Sequence, residues 1–175
     1  NAIRFDITDD RTNQKTGELL CEKPIEVLFE GADTNIYKPT KEFSKSLVDE
    51  MDKIDEKFNF LYLGHWLQGG LGNDRKDTGM LIKVFCETFK NMKTKPGLIM
   101  KTSGAGFSVL DRETMLTKIR EIKNTISGDL PNIYLMHGDF MDEEINELYN
   151  HPKVKAHVSL THGEGFGRPL LEATL

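Results

Sequence analysis

The feature that most constrains the fold of this chain is an alternation of two patterns. Apolar runs of strand length are each followed by a longer stretch with helical period: "PIEVLF" by "KEFSKSLVDEMDKI", "FNFLYLG" by "DTGMLIKVFCETFKNM", "GLIMKTS" by "LDRETMLTKIREIKNTI". The series continues through "NIYLMHG", "MDEEINELYN" and "VKAHVSLT" to a final "GRPLLEATL". Strands alternating with helices at this spacing require crossover connections, so they predict a parallel α/β sheet covered by helices on both faces. This pattern occupies residues 23–175. Residues 1–22 are polar and weakly periodic, and are expected to be a connector or the remnant of a preceding domain. The chain opens on Asn1 and closes inside a helical pattern, so both ends are expected to be cut.

Small residues follow the apolar runs: Gly31, Gly64, Ser103 with Gly104, Gly138 and Gly163. One such glycine is an ordinary strand-to-helix turn, because glycine adopts turn conformations without steric cost. Several in parallel positions suit a ligand approaching the backbone outside the carboxyl ends of the strands, where open parallel sheets bind their ligands.

The last such turn is the richest. In "THGEGFGRPLLEATL", Pro169 is expected at the first helical position and Arg168 near the N-cap. Free N–H groups around Phe166, Gly167, Arg168 and Leu170, with the positive end of the helix dipole, form an expected anion site. Gly165 and Gly167 leave it unobstructed. Glu172 lies about one turn into the helix and leans back towards its start. Glu164 precedes the turn. Two carboxylates beside an anion are best used as acceptors for neutral hydroxyls, and one carboxylate can accept from both members of a vicinal diol. A ligand with phosphates in the middle and diols on both flanks is a nucleotide sugar.

Composition narrows the alternatives. A net charge of -5 removes the bulk attraction expected of a nucleic-acid binder. Cys21 and Cys86 show neither a disulfide framework nor a zinc spacing, which favours a reducing, cytoplasmic setting. No metal site is visible. No apolar run approaches the roughly 18 residues of a membrane span, so no integral membrane segment is expected, and any membrane association would be peripheral. His65 and His162 have no carboxylate, Ser or Cys partner beside them in sequence and read as turn or packing residues. Trp66 is compatible with lining a pocket or with burial under the loop that follows it.

Glu164, seven intervening residues and Glu172, set in "EGFGRPLLEA", resemble the E-x7-E motif of retaining GT-B glycosyltransferases, especially the large family-4 (group 1) set. "PIEVLFEGADTNIYKPT" looks like that family's entry into the donor domain. "FLYLGHWLQGGLGNDRKDTGMLIKVF" is similar to its strand, phosphate loop and helix, and "HGDFMDEEINELYNHPKVKAHVSLT" to the segment before the motif. The resemblance covers roughly residues 24–175 and implies the C-terminal, Rossmann-like half of a GT-B fold, truncated at its end.

The resemblance also implies roles. Glu172 would bind the ribose hydroxyls and Glu164 the transferred sugar. Lys76 would neutralise the departing diphosphate, and Gly165, Phe166 and Gly167 would present backbone to it. Gly64 would lie beside the donor, and the loop at Met136 to Met141, with Gly138, beside the base. His65 stands where the family often has arginine, so the second phosphate cation would be Arg75 or Arg168. The implied activity is hexose transfer from a UDP- or GDP-linked sugar, with no separate cofactor, to an acceptor brought by a missing N-terminal domain. Two alternatives share these features: another GT-B reaction, such as a phosphorylase or epimerase, and a nucleotide-sugar binding module without turnover.

Overall fold

The computed structural model describes residues 3–67 and 71–175. The chain divides into two units, Asn1–Glu30 and Gly31–Leu175. Residues 1–22, expected to be a connector or the remnant of a preceding domain, contain an antiparallel hairpin of β1 (Ile3–Thr8) and β2 (Lys15–Cys21). Its register sets Ile3 against Cys21, Phe5 against Leu19 and Ile7 against Gly17. Facing residues of a pair share one side of the pleat, so Ile3, Phe5, Ile7 and Leu19 form an apolar face. On the other face Lys15 pairs with Asp6, and Arg4 lies 3.8 Å from Glu18. The turn is built by Asp9, whose carboxylate accepts from the N–H groups of Arg11 and Thr12 at 2.8 and 3.0 Å.

The "PIEVLF" run does not form the expected strand. Residues 24–29 pair with no strand among the described residues, and Val27, Leu28 and Phe29 are 85%, 95% and 87% exposed. β-branched and aromatic residues favour a strand only where a neighbouring strand and a packed face exist to satisfy it.

In the larger unit the alternation is realised as α1 (Lys45–Met51), β3 (Asn59–His65), α2 (Thr78–Phe89), β4 (Gly97–Ser103), α3 (Val109–Asn124), β5 (Ile133–Met136), α4 (Asp142–Asn150), β6 (Val154–His157) and α5 (Arg168–Glu172). The four strands pair in parallel in the order β5-β4-β3-β6. The chain builds outward from β3 to β5, then α4 carries it back to the other side of β3. A switch point therefore lies between β3 and β6, and it is there that an open parallel sheet opens a crevice at its carboxyl end.

Each sheet face is covered, as expected. Tyr62, Leu98 and Met100 pack with Leu81, Ile82, Phe85 and Cys86 of α2 and with Met115 and Ile119 of α3. On the other face Leu61 and Ile99 pack with Leu47 and Met51 of α1 and Leu148 of α4. Trp66 is 4% exposed and belongs to the first of these clusters, with the Lys118 Nζ 4.9 Å from its ring centroid. Burial is thus the outcome for Trp66. Cys86 is fully buried and Cys21 half-buried, and both thiols are free.

Helix ends are set by short polar side chains. Ser44 and Ser108 cap α1 and α3, accepting from Leu47 and Asp111 N–H groups. The run before α1 is tied down by α4: Asn146 accepts from the Lys38 N–H and donates to its carbonyl, and Asn150 accepts from the Thr40 N–H.

Ile99→Ala, in the central strand with no exposed surface, is expected to lower unfolding free energy by about 2–5 kcal/mol. Val27→Ser, on the exposed run, should change it by less than about 0.5 kcal/mol. Urea denaturation of both variants checks the contrast.

Candidate functional site

Two loops meet at the switch point, one after β3 and one after β6. The His162 N–H and the Thr161 hydroxyl both donate to the Arg75 carbonyl, at 2.9 and 3.2 Å. The Arg75 guanidinium returns a bond to the Gly163 carbonyl at 2.6 Å and lies 3.5 Å from the Glu164 carboxylate. Lys76 donates from Nζ to the other Glu164 oxygen. The neighbours Arg75 and Lys76 therefore form one ion cluster with Glu164, which is distant in sequence. Burial pushes the Glu164 carboxyl up, but hydrogen bonding and charge from Lys76, followed by Arg75, outweigh it and hold it below its ordinary value of 4.5.

The sequence explains how Lys76 reaches this place. Asp74 accepts from the Lys76 and Thr78 N–H groups at 3.2 and 3.1 Å, turning the loop into α2. At Gly64, a Cβ would meet the Tyr62 hydroxyl oxygen at 3.0 Å and Lys76 Cδ at 3.9 Å, so glycine lets the lysine stem lie along the strand end. Tyr62 bonds Thr78 across 2.7 Å beneath it, and burial pushes its phenol up to about 12. Gln68 to Gly70, within the loop expected to bind phosphate, lie outside the described residues.

α5 starts one residue earlier than expected. Gly167, at φ 82°, is the N-cap, Arg168 the first helical residue and Pro169 the second. The cap needs a left-handed backbone, which glycine adopts freely and arginine does not. The helix is five residues long, so its dipole adds little to an anion site, and the cations of the loops carry the positive charge. Gly165 has open space around it, and Phe166 is 40% exposed.

Glu172 is not an exposed first-turn acid: it is 6% exposed. Arg168 donates from Nε to Oε1 at 2.8 Å, and the Tyr149 hydroxyl donates to Oε2 at 3.3 Å. Arg168 thus pairs with Glu172, separately from the Lys76 cluster. Between the two groups stands His157. Its ring meets Tyr149 edge-on at 6.1 Å, and burial, then the charge of Lys76, pushes its pKa below the ordinary histidine value. Both its ring nitrogens are buried without a hydrogen-bond partner among the described residues.

Gly138 stands apart, after β5, at φ 150°. Its carbonyl accepts from Lys101 Nζ at 2.9 Å, and that ammonium lies 4.6 Å and 5.4 Å from the ring centroids of Phe140 and Phe107. Lys101 thereby ties together the loops after β4 and β5. Sequence reasoning missed it, although a lysine ending the apolar run "GLIMKTS" was the available signal. His65, in place of the arginine the resemblance leads one to expect, sits 3.2 Å from the Ser103 hydroxyl through Nδ1.

Asp77 was missed as well. It holds a left-handed φ of 50° at the start of α2 and is 8% exposed. One carboxylate oxygen lies 3.3 Å from His162 Nε2, and the other has no hydrogen-bond partner among the described residues. His162 therefore does have a carboxylate partner, brought from 85 positions away by the fold. No group of three or more His, Cys, Asp or Glu side chains among the described residues could hold a metal ion, and no helix among them is long and apolar enough to cross a membrane.

The larger unit is an α/β domain with its polar cluster at the sheet switch point. Its fold is similar to the crystal structure of the C-terminal domain of a glycosyl transferase group 1 family protein (LpcC) from Francisella tularensis. The TM-score is 0.53 and the identity 20%, over 82% of this chain and 65% of that one. At this identity the likeness is one of fold, Rossmann-like with helices on both faces, and the chain spans less than two thirds of that structure's length. No protein-family model matches the chain. No curated protein matches it.

Because the folded Glu164 value is depressed, its ion cluster stabilises the loops fully above the unfolded value near 4.5 and loses that contribution as pH falls through the lower folded value. Carboxyl-carbon NMR should show Glu164 titrating below 4.5 in the parent protein and closer to it in Lys76→Met. Asp77→Gly relieves a left-handed backbone at a position with no side-chain cap bond, so it should hold or raise stability, by up to about 1 kcal/mol in thermal unfolding.

Proposed function

We propose that this chain is the donor-binding half of a group 1, family-4-like glycosyltransferase that moves a hexose from a nucleotide-diphosphate sugar to an acceptor with retention of anomeric configuration. The observation that carries this reading is the convergence of Lys76 and Arg75 on Glu164 at the switch point between β3 and β6. A cation pair and a hydroxyl acceptor stand side by side there, which is the charge pattern of a sugar diphosphate in reverse. The fold likeness and the E-x7-E spacing support it.

In this reading the bond between the anomeric carbon and the diphosphate oxygen breaks, and its electron pair leaves on the diphosphate. The acceptor hydroxyl oxygen forms the new bond to that carbon and gives up its proton to the departing diphosphate oxygen. The growing negative charge is met by Lys76 and Arg75, fixed in place before the reaction. Lys76 has three donors, of which Glu164 takes one, so it can bind a phosphate oxygen without releasing the glutamate. The four acceptor sites of a carboxylate likewise leave Glu164 room for sugar hydroxyls, and Glu172 room for ribose. Gly165, Phe166 and Gly167 present backbone to the ligand, and the Gly138 loop lies on the base side. Arg168 is occupied by Glu172, so Arg75 is the second phosphate cation. The acceptor, and the parts of the protein that bind it, belong to a second domain.

Lys76→Ala is expected to lower donor turnover by about 100-fold or more, in the range seen when a preorganised charge-stabilising donor is removed. Glu172→Gln should chiefly weaken donor binding. Release of nucleoside diphosphate from UDP- and GDP-sugars, measured on the full-length protein, together with calorimetry, reads both. Binding without release from any donor would favour the binding module over the transferase.

A further inference from the structure

The Glu172 carboxylate is buried, yet among the described residues only two of its acceptor sites are used. Arg168, one turn earlier on the same short helix, serves Oε1, and Tyr149, from α4, serves Oε2. These two partners differ in kind. The Arg168 side chain is 47% exposed and its other end lies 3.8 Å from Asp142, so its charge is shared between two carboxylates. Tyr149 is fixed. Its ring packs with the cluster of Leu61, Ile99 and Leu148 and meets His157 edge-on. Burial, then the negative charge of Glu172, pushes its hydroxyl far above the ordinary phenol value, so it remains a donor at every physiological pH. Tyr37, 2% exposed, stands by the same carboxylate. A carboxylate rotates freely about its last bond unless a rigid donor holds one oxygen, and a vicinal diol is bound well only when both lone-pair directions are set.

We propose that Tyr149 is a positioning residue for ligand recognition: it fixes the Glu172 carboxylate so that its unused acceptor sites receive the vicinal hydroxyls of a ribose. This rests on the assignment of Glu172 to ribose made above. Arg168 neutralises the carboxylate, while Tyr149 sets its orientation. The Tyr149 hydroxyl never touches the ligand, and its effect is confined to ligands that carry the diol.

The test is calorimetric titration with UDP and GDP and with their 2′,3′-dideoxy analogues, on the parent protein, Glu172→Gln and Tyr149→Phe. The parent should prefer the ribose form by about 10-fold or more, a factor equivalent to about 1.4 kcal/mol. Tyr149→Phe should reduce that preference to about 2-fold to 3-fold while binding the dideoxy form as the parent does, a loss of about 3-fold to 5-fold, the size expected for one ordinary hydrogen bond. An unchanged preference in Tyr149→Phe, with Glu172→Gln losing it, overturns the role of Tyr149 and leaves the ribose assignment standing. Equal loss for both ligand forms, or a variant that no longer folds, marks the hydroxyl as a structural group and also overturns it. No preference in the parent, unchanged in Glu172→Gln, overturns the ribose assignment and this proposal with it.

Discussion

The ion cluster of Lys76, Arg75 and Glu164 is the interaction on which the functional end of this fold depends. Among the described residues, neither loop that supplies it has regular secondary structure, and each runs between a strand and a helix at the switch point. A loop orders only if its contacts offset the conformational entropy it loses, about 1–2 kcal/mol for each fixed residue. Here the two loops order each other. Backbone bonds from Thr161 and His162 to Arg75 set their spacing, and the charges close the gap above it. Because Glu164 is 80% covered and Lys76 more so, the pair is less screened than an exposed ion pair of the same length.

Behind that cluster, the fold supplies a second layer of polar groups that a pattern of strands and helices does not require. Tyr62 with Thr78, Tyr149 with Glu172, and Lys101 with Gly138 each connect the carboxyl end of the sheet to a helix or loop. Buried polar groups cost stability unless satisfied, so such a layer is retained where orientation matters more than stability. His157 and Asp77, with buried nitrogen and oxygen atoms lacking partners among the described residues, are the places where satisfaction is incomplete. Both lie beside Lys76, one by its field and the other by sequence.

What was legible in the sequence follows from the range of each signal. Strands β3 and β4 were readable because a strand buried on both faces is continuously apolar, and "GLIMKTS" matches Gly97–Ser103 residue for residue. The pairing of Glu164 with Glu172 was readable as a spacing, but their separation into two clusters was not. It depends on Tyr149 and Arg168, whose roles arise only when α4 and α5 meet. Asp77 and His162 were invisible for the same reason: their partnership spans two loops. The hairpin was not legible, for a different reason. Its alternation of Ile3, Phe5 and Ile7 is short and set among polar turn residues, so period two is weak in any window that includes its flanks. "PIEVLF" failed in the opposite sense, since strand propensity carries no information on whether an edge is present to pair with.

The two free thiols extend this contrast between the units. Cys21 ends a two-stranded hairpin and is partly exposed, whereas Cys86 is sealed between α2 and the sheet, with burial raising its thiol further from the reactive thiolate. An alkylating reagent therefore meets one sulfur at the rate of a surface group and the other only during opening of the main core. The chain carries its own pair of chemical clocks, one for the hairpin and one for the domain that holds the site, and their separation in time measures how independently the two parts come apart.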